Sequence, residues 1–244
     1  MNHPQQPPFE PVVLRERGAN DATSDRRLFV QFYAATTRPG AESPTSVALT
    51  PALRDQRIDA VLYEDARDPR GFGVAFASED PHQIIEAART LFVQPAWIAL
   101  EILPDYTMLG RSYSLGYETD IEDTLIHRPL RHLLDPDWPW AIWYPLRRSG
   151  AFETLPQDQK RKILGEHARI GMDWGRSGLA RDIRLACHGL GGADNDFVIG
   201  LFGRDLFPLS ALIARMRSTE QTSQYLEQLG PFFAGRAVWR STNT

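Results

Sequence analysis

A pattern that occurs twice limits the fold more than anything else in the chain: a strand ending in an aromatic residue, an acidic turn, then an apolar helix that closes near an arginine. It runs from Phe76 to Arg89 and again from Phe202 to Arg215, with Glu79-Asp80 and Arg204-Asp205 at the two turns. Both ends are 126 positions apart, which reads as an internal duplication. Two unrelated strand-to-helix turns would give the same short match, so the pairing of Phe76 with Phe202 and Arg89 with Arg215 is an expectation about the structure.

The first copy has a legible order. Leu28 to Ala35 is aromatic and β-branched and reads as a strand. Thr50-Pro51 reads as an N-cap followed by proline at the first helical position, opening a short helix to about Gln56. Ile58–Glu64 and Phe72–Ala77 read as strands joined by the Asp68-Pro69-Arg70-Gly71 turn. Asp80-Pro81 opens a helix with Ile84, Ile85, Ala88, Leu91 and Phe92 inward, and Trp97–Ile102 returns as a strand. The order is β-α-β-β-α-β, and the second half repeats it. The expected fold class is therefore α+β: two ferredoxin-like repeats side by side, helices outside, their antiparallel sheets merged into a barrel. The expected divisions are a flexible N-terminal tail over residues 1–25, rich in proline (Pro4, Pro7, Pro8, Pro11), a first repeat over 26–110, a connector over 111–139 and a second repeat over 140–240.

Composition excludes several classes of function. A net charge of −4 gives no basic surface for nucleic acid or an anionic membrane. A single cysteine, Cys187, rules out an intrachain disulfide and any multi-cysteine metal site. No stretch approaches the ~20 apolar residues of a membrane helix, and the first residues lack a signal-peptide pattern, so a cytoplasmic location is expected.

The chemistry concentrates in Gln157 to His188. On a helix starting after Pro156, Ile163, Leu164, His167, Ile170 and Gly171 form one apolar stripe, which points His167 inward. A lone histidine on such a face is commonly a hydrogen-bonded core residue. Here, Gly165, Ala168 and Gly171 thin the surroundings, leaving space of the kind a planar cofactor takes. The strand Trp140–Arg147 alternates Trp140, Ile142, Tyr144 and Leu146 on one face with Ala141, Trp143 and Pro145 on the other.

The co-linear set of Tyr144-Pro145-Leu146-Arg147-Arg148, Glu166-His167, the strand Asp182–His188, Asn195-Asp196-Phe197, Met216 to Glu220, Tyr225 and Pro231 to Gly235 resembles the C-terminal half of the chlorite dismutase and coproheme decarboxylase superfamily. The resemblance covers about residues 130 to 240. It implies haem b or coproheme between the helix histidine and the strand behind it, with His167 as the iron ligand and Glu220 as the carboxylate orienting its second nitrogen. It implies a propionate-side role for Tyr144, the radical carrier in coproheme decarboxylases, and for Arg148, which stands where the family has lysine. Arg128 and Arg131, three apart on one helix face, match a region that holds propionates. The distal position falls on Arg184 or, if the loop insertion is placed differently, on Ala180. Arginine there is the chlorite dismutase residue. The segment after Arg148 is shorter than in the family and lacks its tryptophan. What the resemblance implies is a haem-dependent oxidoreductase, with coproheme decarboxylase first. The alternatives are a chlorite- or peroxide-converting enzyme and a non-catalytic haem binder. Its partners would be a tetrapyrrole, a small oxidant (hydrogen peroxide or chlorite) and copies of itself, as a ring of five.

Overall fold

A computed structural model of the chain describes residues 12–242. In chain order the strands and helices are β1 (Glu16–Arg17), β2 (Thr23–Ser24), β3 (Phe29–Thr37), α1 (Ser46–Arg54), β4 (Asp59–Asp65), β5 (Gly71–Ser78), α2 (Pro81–Leu91) and β6 (Leu100–Arg111). A π turn (Asp123–His127) leads into α3 (Arg128–Leu134), and the second half continues with β7 (Trp140–Arg148), α4 (Gly150–Glu153), α5 (Gln157–Arg176), β8 (Arg181–Ala186), β9 (Phe197–Gly203), α6 (Leu206–Arg217), α7 (Glu220–Tyr225), β10 (Leu226–Leu229) and β11 (Phe233–Arg240).

The sheet order explains how two units become one body. In the first half it is β4-β5-β3-β6 and in the second β8-β9-β7-β11, the same ferredoxin-like arrangement twice. The antiparallel pairs β11–β4 and β6–β8 join the halves at both edges and close the sheet. The first seam pairs five residues of β11 with β4, whereas the second rests on Arg111 opposite Ala186. Alternation then assigns each side chain to a layer. Phe32, Tyr63, Trp143, Phe202 and Phe233 fill the barrel, with Phe32 stacked on Trp143 at 5.4 Å between ring centres. Gly200 is required inside, because a Cβ there would sit 2.9 Å from the Trp143 ring.

The strand order does recur in the second half, but the register expected between the halves is corrected by one residue. Phe76 packs under the helices of the first half, whereas Phe202 points into the barrel. An offset of 126 therefore superposes opposite faces of the sheet, which a strand does not tolerate. The N-caps Asp80 and Asp205 each accept from the amide two residues on, and α2 and α6 begin at 81 and 206, so the offset is 125. By that offset Phe76 corresponds to Leu201 and Arg89 to Ala214.

Other expectations also shift. The first helix starts at Ser46 after the N-cap Thr45, whose hydroxyl accepts from Ala48 N–H, and Pro51 lies inside it rather than at its start. Ile85 is exposed rather than inward. Of the expected tail, residues 1–11 lie outside the described residues. Within 12–25, Glu16–Arg17 pairs with Thr23–Ser24, and Glu16 binds Arg111 at 3.0 Å, so this part is a docked hairpin. No helix among the described residues is long and apolar enough to cross a membrane.

Candidate functional site

The outer face of the second-half sheet carries the site. Register aligns Tyr144 of β7, Ile199 of β9 and Arg184 of β8 in one row across three strands, and Ile142, Leu201 and Asp182 in the next. Tyr144 and Arg184 thus stand two strands apart, about 10 Å at the backbone, with only aliphatic side chains between them. Facing this wall are α5, α6 and α7. In α5 the residues that are not exposed are Lys160, Ile163, Leu164, His167, Ile170, Gly171 and Trp174, so the inward stripe from Ile163 onward is where the spacing puts it. The helix packs on α6 and α7, and α6 packs on the sheet. Between the layers lies a cavity of about 90 Å³, lined by Tyr144, Leu146, His167, Ala180, Asp182, Arg184, Leu212, Met216 and Gln221 among others.

His167 enters this cavity from the helix side. Its Nδ1 is buried without a hydrogen-bond partner. Burial holds its pKa below the ordinary imidazole value, and the positive charges of Arg184 and Arg148 push the same way, so the ring is neutral and able to donate a lone pair. Tyr144 stands on the opposite wall, packed on Phe232 at 4.8 Å between ring centres. Burial pushes its phenol well above the ordinary range, with the charge of Asp182 adding to the effect. Arg184 reaches Asp182, Nε to Oδ2, at 3.2 Å. Ala180 and Arg184 both line the cavity, so the choice between them is one of depth on a single face.

Arg148 is the unusual cation. Its guanidinium lies over the rings of Phe152 and Phe197 at 4.8 and 4.7 Å, and its Nε is buried without a partner. Its pKa is lowered by burial, which the nearby Tyr113, Glu153 and Asp196 only partly offset. A buried Nε–H without an acceptor is costly, and a planar carboxylate is the partner the guanidinium geometry suits.

Three expected site residues are corrected. Arg128 and Arg131 do not reach the cavity: both are tied to Asp123, at 3.0 and 2.7 Å, and are exposed, because the π turn directs their shared face to the connector's own carboxylate. Glu220 does not bond His167. It is the first residue of α7, where its backbone N–H donates to Glu166 Oε2 at 3.2 Å. Its neighbour Gln221 is the one turned inward, 4% exposed, with Oε1 unpaired on the cavity wall. Nothing in the sequence distinguishes these two positions without the helix's rotation. Asp182 also lines the cavity, as its alternation with Arg184 along β8 places it.

The donor set fits an iron tetrapyrrole: one neutral helix histidine, an apolar floor, an unpaired guanidinium at one edge and a phenol on the far wall. A family model for chlorite dismutase matches residues 117–238, half of the chain. The chain belongs to the chlorite dismutase family. Solved structures show the same fold. One described as a heme-binding protein from Thermus thermophilus superposes with a TM-score of 0.69 at 15% identity, covering 87% of this chain and 91% of that one. A mutant chlorite dismutase from Candidatus Nitrospira defluvii gives 0.65 at 11% identity, with 88% and 92% covered. For this chlorite dismutase family member, β7, β8 and β9 with α5 to α7 are the part where fold and donor set coincide.

A pH dependence follows from two partly buried imidazoles. His132, whose Nδ1 lies 2.8 Å from Asp182 O, is also held below the ordinary imidazole value by burial. As pH falls through about 6.5, the unfolded chain takes up protons that both folded sites resist, so stability falls with acid and is flat above that range. Thermal melting of the ligand-free protein between pH 7.5 and 5.5 should show this loss, and replacing both groups (His132→Gln, His167→Gln) should flatten it.

Proposed function

We propose that the protein is a haem-dependent oxidoreductase whose reaction is the peroxide-driven decarboxylation of coproheme. The observation that carries this reading is the pairing, on one face of β7, of a tyrosine hydroxyl that burial holds in its neutral form with an arginine whose Nε is buried and which has no carboxylate partner among the described residues. His167 would hold the iron, and Arg148 would hold a propionate of the same ring. The bound tetrapyrrole, once oxidised by peroxide, supplies the oxidising power. Tyr144 keeps its proton on the phenolic oxygen at all ordinary pH, so it passes on oxidation only by giving up a whole hydrogen atom. The resulting phenoxyl takes a hydrogen from the propionate chain next to it. Each propionate loses that hydrogen, carbon dioxide and two electrons in all, leaving a vinyl group. One peroxide accepts the two electrons and becomes water. The protein's share is position and electrostatics.

Arg184 is the observation favouring a second reading, conversion of chlorite at a permanent haem b. Its charge is matched by Asp182 at 3.2 Å, so the wall offers a small anion less attraction than a lone guanidinium would. The test is direct. Ligand-free protein is loaded with coproheme or with haem b, given peroxide or chlorite, and the tetrapyrrole is weighed by mass spectrometry. Products with three and then two propionates from coproheme are expected. Intact coproheme with oxygen released from chlorite would overturn the reading in favour of the second. Intact coproheme with no turnover of either oxidant would leave a haem binder.

A further inference from the structure

We infer that Asp182 is the proton acceptor for the oxidant, and that with Arg184 it selects a neutral hydroperoxide over an oxyanion; this rests on the haem reading above. Three observations bear on it. Asp182 and Arg184 are alternate residues of β8, so both project from the sheet wall that faces His167 across the cavity. They hold each other, Nε to Oδ2, at 3.2 Å, and their side chains are 47% and 51% exposed, so a small molecule reaches them from solvent. The backbone at Asp182 is anchored by His132, whose Nδ1 lies 2.8 Å from the Asp182 carbonyl oxygen, so the residue that presents the carboxylate to the cavity is held in place.

A carboxylate beside a guanidinium suits one class of ligand. An oxyanion meets a positive and a negative charge at the same point and gains little. A hydroperoxide is neutral and has an acidic O–H, and it finds an acceptor for that proton and a donor for the oxygen left behind. In the step inferred, a carboxylate oxygen of Asp182 accepts the proton, the electron pair of the O–H bond stays on the peroxide oxygen, and the hydroperoxide anion is held by the Arg184 N–H groups. No electron is transferred. Proton transfer to a positioned carboxylate accelerates such steps by about 100-fold or more. The charge of Asp182 also acts on Tyr144 and His167, the groups on the two facing walls.

The experiment uses the protein loaded with iron(III) haem and reads ligand binding rather than turnover. Hydrogen cyanide is a neutral acid that must lose its proton to bind, whereas fluoride binds as the anion. In stopped-flow mixing at pH 7, Asp182→Asn should slow cyanide association by about 100-fold, Asp182→Glu should recover most of it, and fluoride affinity should rise in Asp182→Asn because a repelling charge has gone. A normal Soret band with unchanged cyanide kinetics, or with fluoride affinity unchanged or lower, overturns the Asp182 assignment alone. A protein that takes up no haem overturns this inference together with the haem reading.

Discussion

Replacing His167 with alanine should abolish stable haem or coproheme binding while leaving the fold intact. The imidazole is the neutral nitrogen donor that α5 turns into the cavity, and its Nδ1 has no protein partner to lose. Losing an outer-shell partner of a metal ligand typically costs about 10- to 100-fold in affinity, so losing the ligand itself should cost at least about 100-fold. Titration of the ligand-free variant with either tetrapyrrole, followed at the Soret band, is the measurement. The sharp band should be missing or grossly shifted, melting at pH 7.5 should stay close to that of the parent, and added imidazole should restore part of the spectrum through the space opened on α5. A variant with an unchanged spectrum would remove His167 from the iron and with it the functional reading.

The second large effect belongs to Tyr144. Its ring packs on Phe232, and Tyr144→Phe keeps that contact while removing the only atom able to give up a hydrogen. Coproheme binding should change by less than about threefold, under 1 kcal/mol. Vinyl formation should fall by at least about 1,000-fold, equivalent to about 4 kcal/mol in the barrier. Mass analysis of coproheme after peroxide should then show all its propionates. Under the chlorite alternative the pattern reverses: Arg184→Gln cuts oxygen release, and Tyr144→Phe matters little. Comparable vinyl formation by Tyr144→Phe would exclude the tyrosine route.

What the sequence made legible were the periodic elements. The stripe through Ile163, His167 and Ile170 and the alternation through Ile142, Tyr144 and Leu146 appear in the structure as read, because each is set by the geometry of a single element. The errors lie where two elements must be related. Matching Phe76 to Phe202 compared residue types without asking which face each occupied, and a one-residue step was enough to invert the answer. Glu220 and Gln221 differ by one position at the start of α7, and its rotation is fixed by the Thr219 cap and by Glu166, neither of which is visible as spacing. Arg128 and Arg131 do share a face, but the face belongs to Asp123. Arg184 and Ala180 could not be separated by counting because they differ by an even number and line the same wall.

The cavity behind His167 has a consequence for how any ring-shaped ligand is captured. At about 90 Å³ it is well below the ~300–1,000 Å³ typical of sites for drug-sized ligands, so the tetrapyrrole does not slide into a waiting slot. The helices α5, α6 and α7 pack on one another, so admitting a tetrapyrrole would require them to part from the sheet as a group. With the parted state a minor one, measured affinity would be the intrinsic affinity reduced by its fraction, and uptake should level off at the rate of parting however much tetrapyrrole is supplied. Release is throttled by the same motion. The packing of these helices on the sheet would therefore also act as a timer, giving one ring long residence between the layers.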